Sequence, residues 1–281
     1  MKIIKIMYCN FWNGFDIYTS LIYTFLKTKF DITLTNNDPD LIIFSDFGDT
    51  DVNKYACLKL YFSGESYTNI SYKYDFSITY NHDTYNNLYF PLFLINQYSD
   101  SYNSMLNHSI SIRNKFCSAC ISNKNSIDRL KFIQQLCSYK SVDLAGSVYV
   151  PRTNKYSIGK QISDKLDFDS KHKFAICFEN KQQENYVTEK IVQAFAAGCI
   201  PIYRGDPNVS TIFNENAFLN GNDISNTELI NKIKYIDNND DAYNRMLLEQ
   251  PLLDIEYKNK MIIKFNDFMN KIVEVLNKWK L

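Results

Sequence analysis

Short apolar runs separated by polar residues recur along the first hundred residues of the chain. Runs of this length, bounded by turn-forming residues, are typical of buried strands. They predict strands at Ile3–Tyr8, Phe30–Leu34, Leu41–Ser45, Leu58–Phe62, Phe76–Tyr80 and Tyr89–Phe93. A stretch with helical spacing, Ile17–Leu26, lies between the first two. This alternation indicates an α/β fold with a mainly parallel sheet.

The same alternation resumes after a polar, serine- and asparagine-rich stretch, Asn96–Asn114, which we interpret as a domain boundary. Further strands are predicted at Lys115–Ser122, Val142–Leu144, Phe174–Phe178, Cys199–Tyr203 and Ala217–Leu219. Helices are predicted at Asn125–Tyr139, Glu189–Ala196 and Thr227–Ile236, whereas Ser147–Ser170 has the pattern of a polar loop. The pattern thus predicts one α/β domain over residues 1–112, a second over 113–255 and an amphipathic helical tail over 256–281.

Composition places the chain among globular proteins. It has 281 residues, of which 45% are hydrophobic and 22% charged, and the formal net charge is zero. A neutral chain gives no reason to expect a nucleic-acid partner. The seven cysteines are widely spread, so we interpret them as reduced thiols in a cytosolic compartment. No run approaches the ~20 apolar residues of a membrane span, and the N-terminus lacks a signal-peptide pattern, so we expect a cytoplasmic protein.

The sequence lacks the motifs of several common kinds of binding site. Neither GxGxxG nor GxxxxGK[ST] occurs, which removes the main evidence for a dinucleotide or P-loop site. Closely spaced acids that could ligate a divalent cation are Asp38/Asp40, Asp49/Asp51 and Asp167/Asp169. So short a pattern is near chance in a chain with 31 acids, and we predict no metal site. The histidines, for which we predict structural roles, are His82, His108 and His172.

One stretch combines a strand, a loop and a helix start. The strand Phe174–Phe178 leads into a polar loop, and Thr188 then stands where a helix cap would stand. Glu189 and Lys190 fall in the first turn of the helix. A helix start offers free N–H groups and the positive end of the helix dipole, which suits a phosphate. From the pattern alone, a surface helix with a capping acid remains an equal alternative.

Two further residues are candidates for chemistry. Glu65 follows a predicted strand behind a glycine, and ligands of parallel sheets bind outside such strand ends. A carboxylate there could act as a general base, or it could be an ordinary loop acid. Arg129 lies early in a predicted helix, where its guanidinium could clamp a phosphate with two N–H bonds. A solvated position on the helix is the alternative.

The residues around this stretch carry a family resemblance. The segments concerned are Phe178–Asn180, Tyr186–Lys190, Ala197–Gly198, Ile200–Tyr203, Gly205–Asn208 and Ala217–Leu219. Together they closely resemble the signature of the α-1,3-fucosyltransferase family, glycosyltransferase family 10. Parts of the preceding sequence resemble its bacterial-type members, namely Phe11–Trp12, Asp38–Ser45, Tyr61–Glu65, Phe116–Ser118, Ser122–Asn123, Arg129 and Lys140–Asp143. In order, these segments span most of residues 1–220.

The resemblance implies a fold and a reaction. The fold is two Rossmann-like domains facing across a cleft, the GT-B type, with a C-terminal amphipathic helix. The donor is GDP-β-L-fucose, and the acceptor is the 3-hydroxyl of N-acetylglucosamine, or of glucose, in a lactosamine-type glycan. A single displacement inverts the donor linkage; no cofactor or metal is required, and a divalent cation is at most stimulatory. A related transferase with another acceptor or linkage, or a non-catalytic glycan- or nucleotide-binding relative, is the alternative.

The resemblance also assigns roles to residues. Glu65 falls at the position of the family's proposed general base. The donor-binding positions are Arg129 and Lys190 for the diphosphate, Glu189 for the ribose hydroxyls, and Asn180 and Tyr186 for the nucleotide-sugar pocket.

Two features depart from the family pattern or go beyond it. Arg204 stands where an uncharged residue is expected, which leaves its local contact open. The tail from Glu256 combines a wide apolar stripe with a small excess of lysine. That combination is compatible with packing of the stripe on the domains, or with a weak membrane-surface contact.

Overall fold

A computed structural model describes residues 1–66, 71–95, 98–107, 113–123, 125–156 and 162–279. Contacts divide the chain into two compact units. Unit 1 comprises Met1–Gln97 and Glu256–Leu281, and unit 2 comprises Tyr98–Ile255. The helical tail, predicted as a segment of its own, therefore groups with unit 1. His108 and the predicted boundary at residue 112 lie outside the described residues.

Unit 1 is built on a six-stranded sheet whose paired strands all run parallel. The strands are β1 (Ile3–Cys9), β2 (Asp31–Leu34), β3 (Leu41–Phe44), β4 (Leu58–Phe62), β5 (Phe76–Thr79) and β6 (Asn87–Tyr89). Their order across the sheet is β2-β1-β3-β4-β5-β6. Helix α1 (Leu21–Lys27) joins β1 to β2, and its first turn is capped by the Ser20 hydroxyl, which accepts a hydrogen bond from Tyr23 N–H.

The last strand of this sheet differs from its predicted position. The apolar run Tyr89–Phe93 predicts a strand, but β6 ends at Tyr89, and Leu92–Leu94 forms a 3-10 turn. Pro91 explains the difference, because it has no N–H with which to extend a ladder. The strand instead begins at Asn87, whose side-chain oxygen accepts hydrogen bonds from Ser77 and Thr79 at 2.7 and 2.9 Å.

Unit 2 repeats the parallel α/β plan with a second six-stranded sheet. Its strands are β7 (Lys115–Cys120), β8 (Val142–Ala145), β9 (Asn154–Tyr156), β10 (His172–Phe178), β11 (Ile200–Arg204) and β12 (Leu219–Asn220). Its helices are α2 (Ser99–Leu106), α3 (Ile127–Leu136), α4 (Ile162–Asp169), α5 (Glu189–Ala196), α6 (Asn226–Asp237) and α7 (Asp240–Leu248). The order across the sheet is β12-β11-β10-β7-β8-β9. The predicted α/β class with two Rossmann-like domains is thereby confirmed.

The polar stretches of unit 2 contain elements that the sequence pattern did not predict. Helix α2 lies in the stretch interpreted as a linker, buries Tyr102 and Met105, and packs against α5. The supposed loop of residues 147–170 holds β9 and α4. Strand β9 is exposed throughout, so no apolar alternation marks it. Helix α7 was not predicted either, and the last strand falls at Leu219–Asn220 because residues up to Ala217 form a 3-10 turn.

The core of unit 2 is apolar, and His172, a histidine buried beside it, has structural partners. Apolar side chains of α3 and α6 pack on the central strands around Phe174 and Ile202, and their removal from water drives the fold. His172 is fully buried at the start of β10. Its Nδ1 lies 2.9 Å from the Phe168 carbonyl and its Nε2 lies 3.0 Å from Asp143. These two partners support the structural role predicted for His172.

The C-terminal helix α8 (Tyr257–Lys278) buries its apolar stripe within unit 1. The Phe265 ring centre lies 5.5 Å from that of Phe90, and Phe268 lies 5.9 Å from Phe76. On the polar side, Lys264 forms a 2.8 Å ion pair with Asp83. The packing alternative thus accounts for the stripe. None of the helices in the described residues is both long enough and apolar enough to span a bilayer.

Candidate functional site

The strand order of unit 2 identifies one edge of its sheet as a candidate binding site. The chain runs outward from β7 to β8 and β9, then returns to β10 on the other side of β7. Ligands of open α/β sheets bind outside the carboxyl ends of the strands at such a switch point. A cavity of about 470 Å³ lies there, lined by residues that follow β7 and β10. These include Ser126, Arg129, Glu179, Asn180 and Arg204.

Arg129 brings a buried cation to this cavity. Its side chain projects from α3 and is only 5% exposed. The Nη2 atom donates a 3.0 Å hydrogen bond to Asn180 Oδ1, whereas Nε has no partner among the described residues. Burial lowers the pKa of Arg129, and the nearby Glu179 carboxylate opposes that change. A desolvated guanidinium with an unused N–H is suited to an anionic ligand.

Lys190 is held by two acceptors at the start of α5. Its Nζ atom lies 2.8 Å from Glu179 Oε2 and 2.7 Å from Thr188 Oγ1. The Glu179 side chain is fully buried and that of Lys190 is 20% exposed. Burial alone would lower the pKa of Lys190, but Glu179 and then Glu189 outweigh it and raise the pKa. Lys190 is therefore a fixed ammonium ion rather than a mobile surface group.

The Thr188 hydroxyl makes different hydrogen bonds from those that its position suggests. It is the residue that precedes α5, as predicted, but its side chain makes no capping hydrogen bond. The hydroxyl instead donates to the Glu179 carboxylate, at 2.8–2.9 Å from its oxygens. Glu179 Oε1 also accepts the Thr188 backbone N–H at 2.8 Å. The carboxylate of Glu179 thus binds both the hydroxyl and the backbone N–H of the residue that precedes α5.

The remaining predicted donor residues flank this cluster along the chain. Tyr186 is buried in the loop before α5 and lies close enough to Arg129 to influence its pKa. Glu189 is the first residue of α5, and its Oε1 lies 3.9 Å from Lys190 Nζ. The structure therefore brings Arg129, Asn180 and Lys190 into one neighbourhood around Glu179. Glu179 is part of the sequence signature, but no role was predicted for it. The available signal was an acid directly after an apolar strand.

Arg204 forms part of the cavity wall. Its Nε donates to the Gly221 carbonyl and its Nη1 to Asn226 Oδ1, both at 2.9 Å. Its guanidinium carbon lies 4.9 Å from the centre of the Phe178 ring, within the range of a cation–π contact. These contacts explain the departure noted in the sequence, because an uncharged residue could not make them.

Glu65 lies in unit 1 at the carboxyl end of β4, as predicted, and is half-buried. Its backbone N–H donates to Ser63 Oγ at 3.2 Å, and Ser63 donates in turn to Asp46. Asp46 also accepts a hydrogen bond from the Tyr61 hydroxyl. A network between β3 and β4 thus fixes the loop that carries Glu65, which a general base requires. Across the described ranges, no three His, Cys, Asp or Glu side chains are grouped to hold a metal ion.

Comparison with known proteins assigns the family. The family model described as glycosyltransferase family 10 (fucosyltransferase), C-terminal part, matches residues 110–269, more than half of the chain. The chain belongs to this fucosyltransferase family. A second model, the N-terminal domain of α-(1,3)-fucosyltransferase FucT, matches residues 6–98. The two matches cover both units of this fucosyltransferase family member, and they confirm the resemblance predicted from the sequence.

Individual relatives agree with this assignment. The α-(1,3)-fucosyltransferase FucT of Helicobacter pylori is 37% identical over an alignment of 169 residues, and the match covers 58% of this chain and 34% of that protein. The GDP-fucose protein O-fucosyltransferase 3 of Xenopus tropicalis is 33% identical over an alignment of 122 residues, and the match covers 41% of this chain and 26% of that protein. The chain therefore matches about a third or less of the length of these curated relatives.

Solved structures extend the similarity to the fold. A crystal structure of an α1,3-fucosyltransferase matches with a TM-score of 0.77 and 25% identity, covering 96% of this chain and 90% of that one. Crystal structures of α1,3-fucosyltransferase with GDP and with GDP-fucose match with TM-scores of 0.75 and 0.74. Together with the two parallel sheets, these matches confirm the GT-B class for the fucosyltransferase family member.

Proposed function

We propose that this chain is an inverting α-1,3-fucosyltransferase. It moves L-fucose from GDP-β-L-fucose to the 3-hydroxyl of N-acetylglucosamine, or of glucose, in a lactosamine-type glycan. The observation that carries the proposal is Arg129, a buried guanidinium with an unused N–H on a cavity at the switch point of a Rossmann-like sheet. The similar structures described with GDP and GDP-fucose support the same donor.

The donor side follows from charge. When fucose leaves, negative charge grows on the diphosphate of GDP, and fixed cations stabilise it where it develops. Arg129 and Lys190 are assigned this task, because both are held by hydrogen bonds before any ligand arrives. Glu189, the half-buried first residue of α5, takes the ribose hydroxyls. Asn180 and Tyr186 complete the nucleotide-sugar pocket.

The acceptor side requires a base. A sugar hydroxyl is a poor nucleophile, so we assign Glu65 to take its proton as it attacks the anomeric carbon. One such displacement from the opposite face converts the β linkage of the donor into an α linkage. The cations assigned to the leaving group make a metal unnecessary in this scheme, so a divalent cation would at most stimulate the reaction. The seven free cysteines are in accord with the proposed cytosolic location.

A second acceptor class has support of its own. One relative is named as a protein O-fucosyltransferase, so a hydroxyl on a protein is the alternative acceptor for the same donor. Both candidate acceptors use the donor chemistry proposed for unit 2. They differ only in the molecule that carries the attacking hydroxyl. A weak contact of the α8 tail with a membrane surface would affect where the protein meets its acceptor. This contact stays a prediction.

One experiment tests the proposal. The protein is incubated with GDP-fucose and N-acetyllactosamine, with and without a chelator, and the product linkage is determined by mass spectrometry and NMR. We expect fucose α-1,3-linked to N-acetylglucosamine in both samples. In parallel, GDP at ~100 times its dissociation constant should raise the unfolding free energy by ~2.7 kcal/mol. Stabilisation by UDP but not by GDP would refute the donor assignment.

A further inference from the structure

Glu179 is a charged residue near the candidate donor site, and its side chain is fully buried. Its backbone N–H donates to the Arg204 carbonyl at 2.7 Å, which extends the pairing of β10 with β11 and fixes its main chain. Its side chain occupies space that Gly205 leaves open, since a Cβ at Gly205 would lie 2.6 Å from Glu179 Cγ. The carboxylate is therefore confined by both its backbone and its neighbours.

The hydrogen bonds around this carboxylate are complementary. Thr188 has a single hydroxyl proton, which it donates to Glu179, so the same oxygen is the acceptor of the hydrogen bond from Lys190. The Lys190 ammonium has three N–H groups, and the two acceptors at 2.7 and 2.8 Å engage two of them. Glu189 Oε1, at 3.9 Å, is beyond hydrogen-bond distance. One N–H of Lys190 is left for a ligand.

We propose that Glu179 and Thr188 are positioning residues that hold the Lys190 ammonium so that its third N–H meets the diphosphate of the donor. The inference rests on the proposed function for the identity of that ligand. It adds two residues to the donor site, neither of which needs to contact the donor. A free lysine loses much rotamer freedom when it is fixed by a ligand, whereas this lysine is already fixed.

A purely electrostatic interpretation of Glu179 leads to the opposite expectation. A carboxylate beside Lys190 and near Arg129 reduces the positive charge that an anion meets. If charge alone mattered, its removal would strengthen the binding of GDP. If position matters more, its removal weakens that binding, because the ammonium loses the direction of its remaining N–H. The sign of the change therefore separates the two interpretations.

The binding experiment uses matched variants. Glu179→Gln removes the charge, and Thr188→Val removes one acceptor of the ammonium, while Thr188→Ser keeps it. Glu215→Gln, at an exposed position, is the control for the chemical change. The dissociation constants of GDP and of guanosine are measured by calorimetry. We expect Glu179→Gln and Thr188→Val to weaken GDP about 10-fold and to leave guanosine within about 2-fold, as expected from the rotamer freedom of one lysine.

A second experiment measures the reactivity of the Lys190 amine in the absence of donor. An acylating reagent modifies only the neutral amine, and its rate at Lys190 is measured by mass spectrometry. Because Glu179 favours the charged ammonium, Glu179→Gln should raise that rate about 10-fold, whereas Glu215→Gln should not change it. Thermal unfolding confirms that each variant is folded. If Glu179→Gln does not fold, the comparison of Thr188→Val with Thr188→Ser still decides the role of the clamp.

The outcomes are distinct. Failure of the wild-type protein to bind GDP would refute the proposed donor, and with it the ligand named here, while acylation still tests the hold on Lys190. Unchanged acylation in Glu179→Gln would overturn the hold itself. Normal GDP binding by the wild-type protein, with equal or tighter binding by Glu179→Gln, would overturn the positioning role in favour of simple charge compensation. A loss of guanosine binding equal to that of GDP would indicate a general distortion and contradict the proposal.

Discussion

Arg129 Nη2 donates a 3.0 Å hydrogen bond to Asn180 Oδ1, which ties helix α3 to the loop that follows β10. The bond spans the point where the strand order of unit 2 reverses. The Nε–H of the same buried guanidinium, which lines the cavity, has no hydrogen-bond partner among the described residues. The planar guanidinium holds its N–H groups in a fixed fork, and a lysine ammonium at this position would not reproduce that geometry.

Arg129→Lys should therefore weaken GDP binding although the charge is kept. We expect the dissociation constant to rise about 10- to 100-fold, because a buried, charge-assisted hydrogen bond of the fork is lost. Calorimetry with GDP measures the change. Arg245→Lys, at an exposed position on α7, should leave the affinity unaltered. Equal affinities for both variants and the wild-type protein would remove Arg129 from the donor site.

The sequence pattern was sufficient to predict the strands and the helix that position this site. The run from β10 to β11 was predicted because apolar strands flank a helix with buried Ile191, Val192 and Phe195. Strand β9 and helices α2, α4 and α7 were missed, since their polar residues outnumber the few that they bury. Short elements of this kind depend on tertiary packing more than on local pattern.

The roles of individual polar residues were less predictable. Thr188 has the sequence position of a helix cap, yet its hydroxyl turns to Glu179 and Lys190. Arg204 has the appearance of an exposed strand end, but its partners Gly221 and Asn226 come from a later part of the chain. Contacts between residues distant in sequence decide such roles, and no local pattern contains them.

Glu65→Gln should separate catalysis from donor binding. If Glu65 is the general base, turnover falls by ~10²–10⁴-fold, because the amide cannot accept the proton of the acceptor hydroxyl. The affinity for GDP should not change, since the residue has no assigned donor contact. Initial rates with N-acetyllactosamine and calorimetry with GDP give the two numbers. Glu274→Gln, at an exposed position on α8, is the control, and near-normal turnover of Glu65→Gln would exclude Glu65 as the base.

Arg204→Lys should lower the stability of the fold. Its guanidinium donates hydrogen bonds to the Gly221 and Ile224 carbonyls and to the Asn226 side chain, at 2.9–3.2 Å, and lies 4.9 Å from the centre of the Phe178 ring. An ammonium can replace one of these bonds but not their planar arrangement, so we expect the unfolding free energy to fall by ~1–3 kcal/mol. Urea denaturation measures the difference. A variant as stable as the wild-type protein would show that these bonds contribute nothing net.

Asp237 provides a test of pH dependence. Its carboxylate, at the end of α6, accepts hydrogen bonds from Tyr139 at 2.9 Å, Lys140 at 2.5 Å and Lys173 at 3.2 Å. Burial alone would raise its pKa, but the bonds from Lys140, Tyr139 and Lys173 outweigh burial and hold the pKa below its ordinary value. A carboxylate with a lowered pKa stabilises the fold above its unfolded pKa of about 4, and that contribution is lost as the pH falls through the folded pKa.

Asp237→Asn should therefore be less stable than the wild-type protein at pH 7, and the difference should shrink as the solution is acidified. The reason is that the wild-type carboxylate takes up its proton on acidification and then resembles the neutral amide. Urea denaturation of both proteins at pH 7, 5, 4 and 3 measures the gap. Asp241→Asn, at an exposed position on α7, should show a small gap throughout. A gap for Asp237→Asn that stays constant down to pH 3 would mean that lost packing, rather than lost charge, causes the destabilisation.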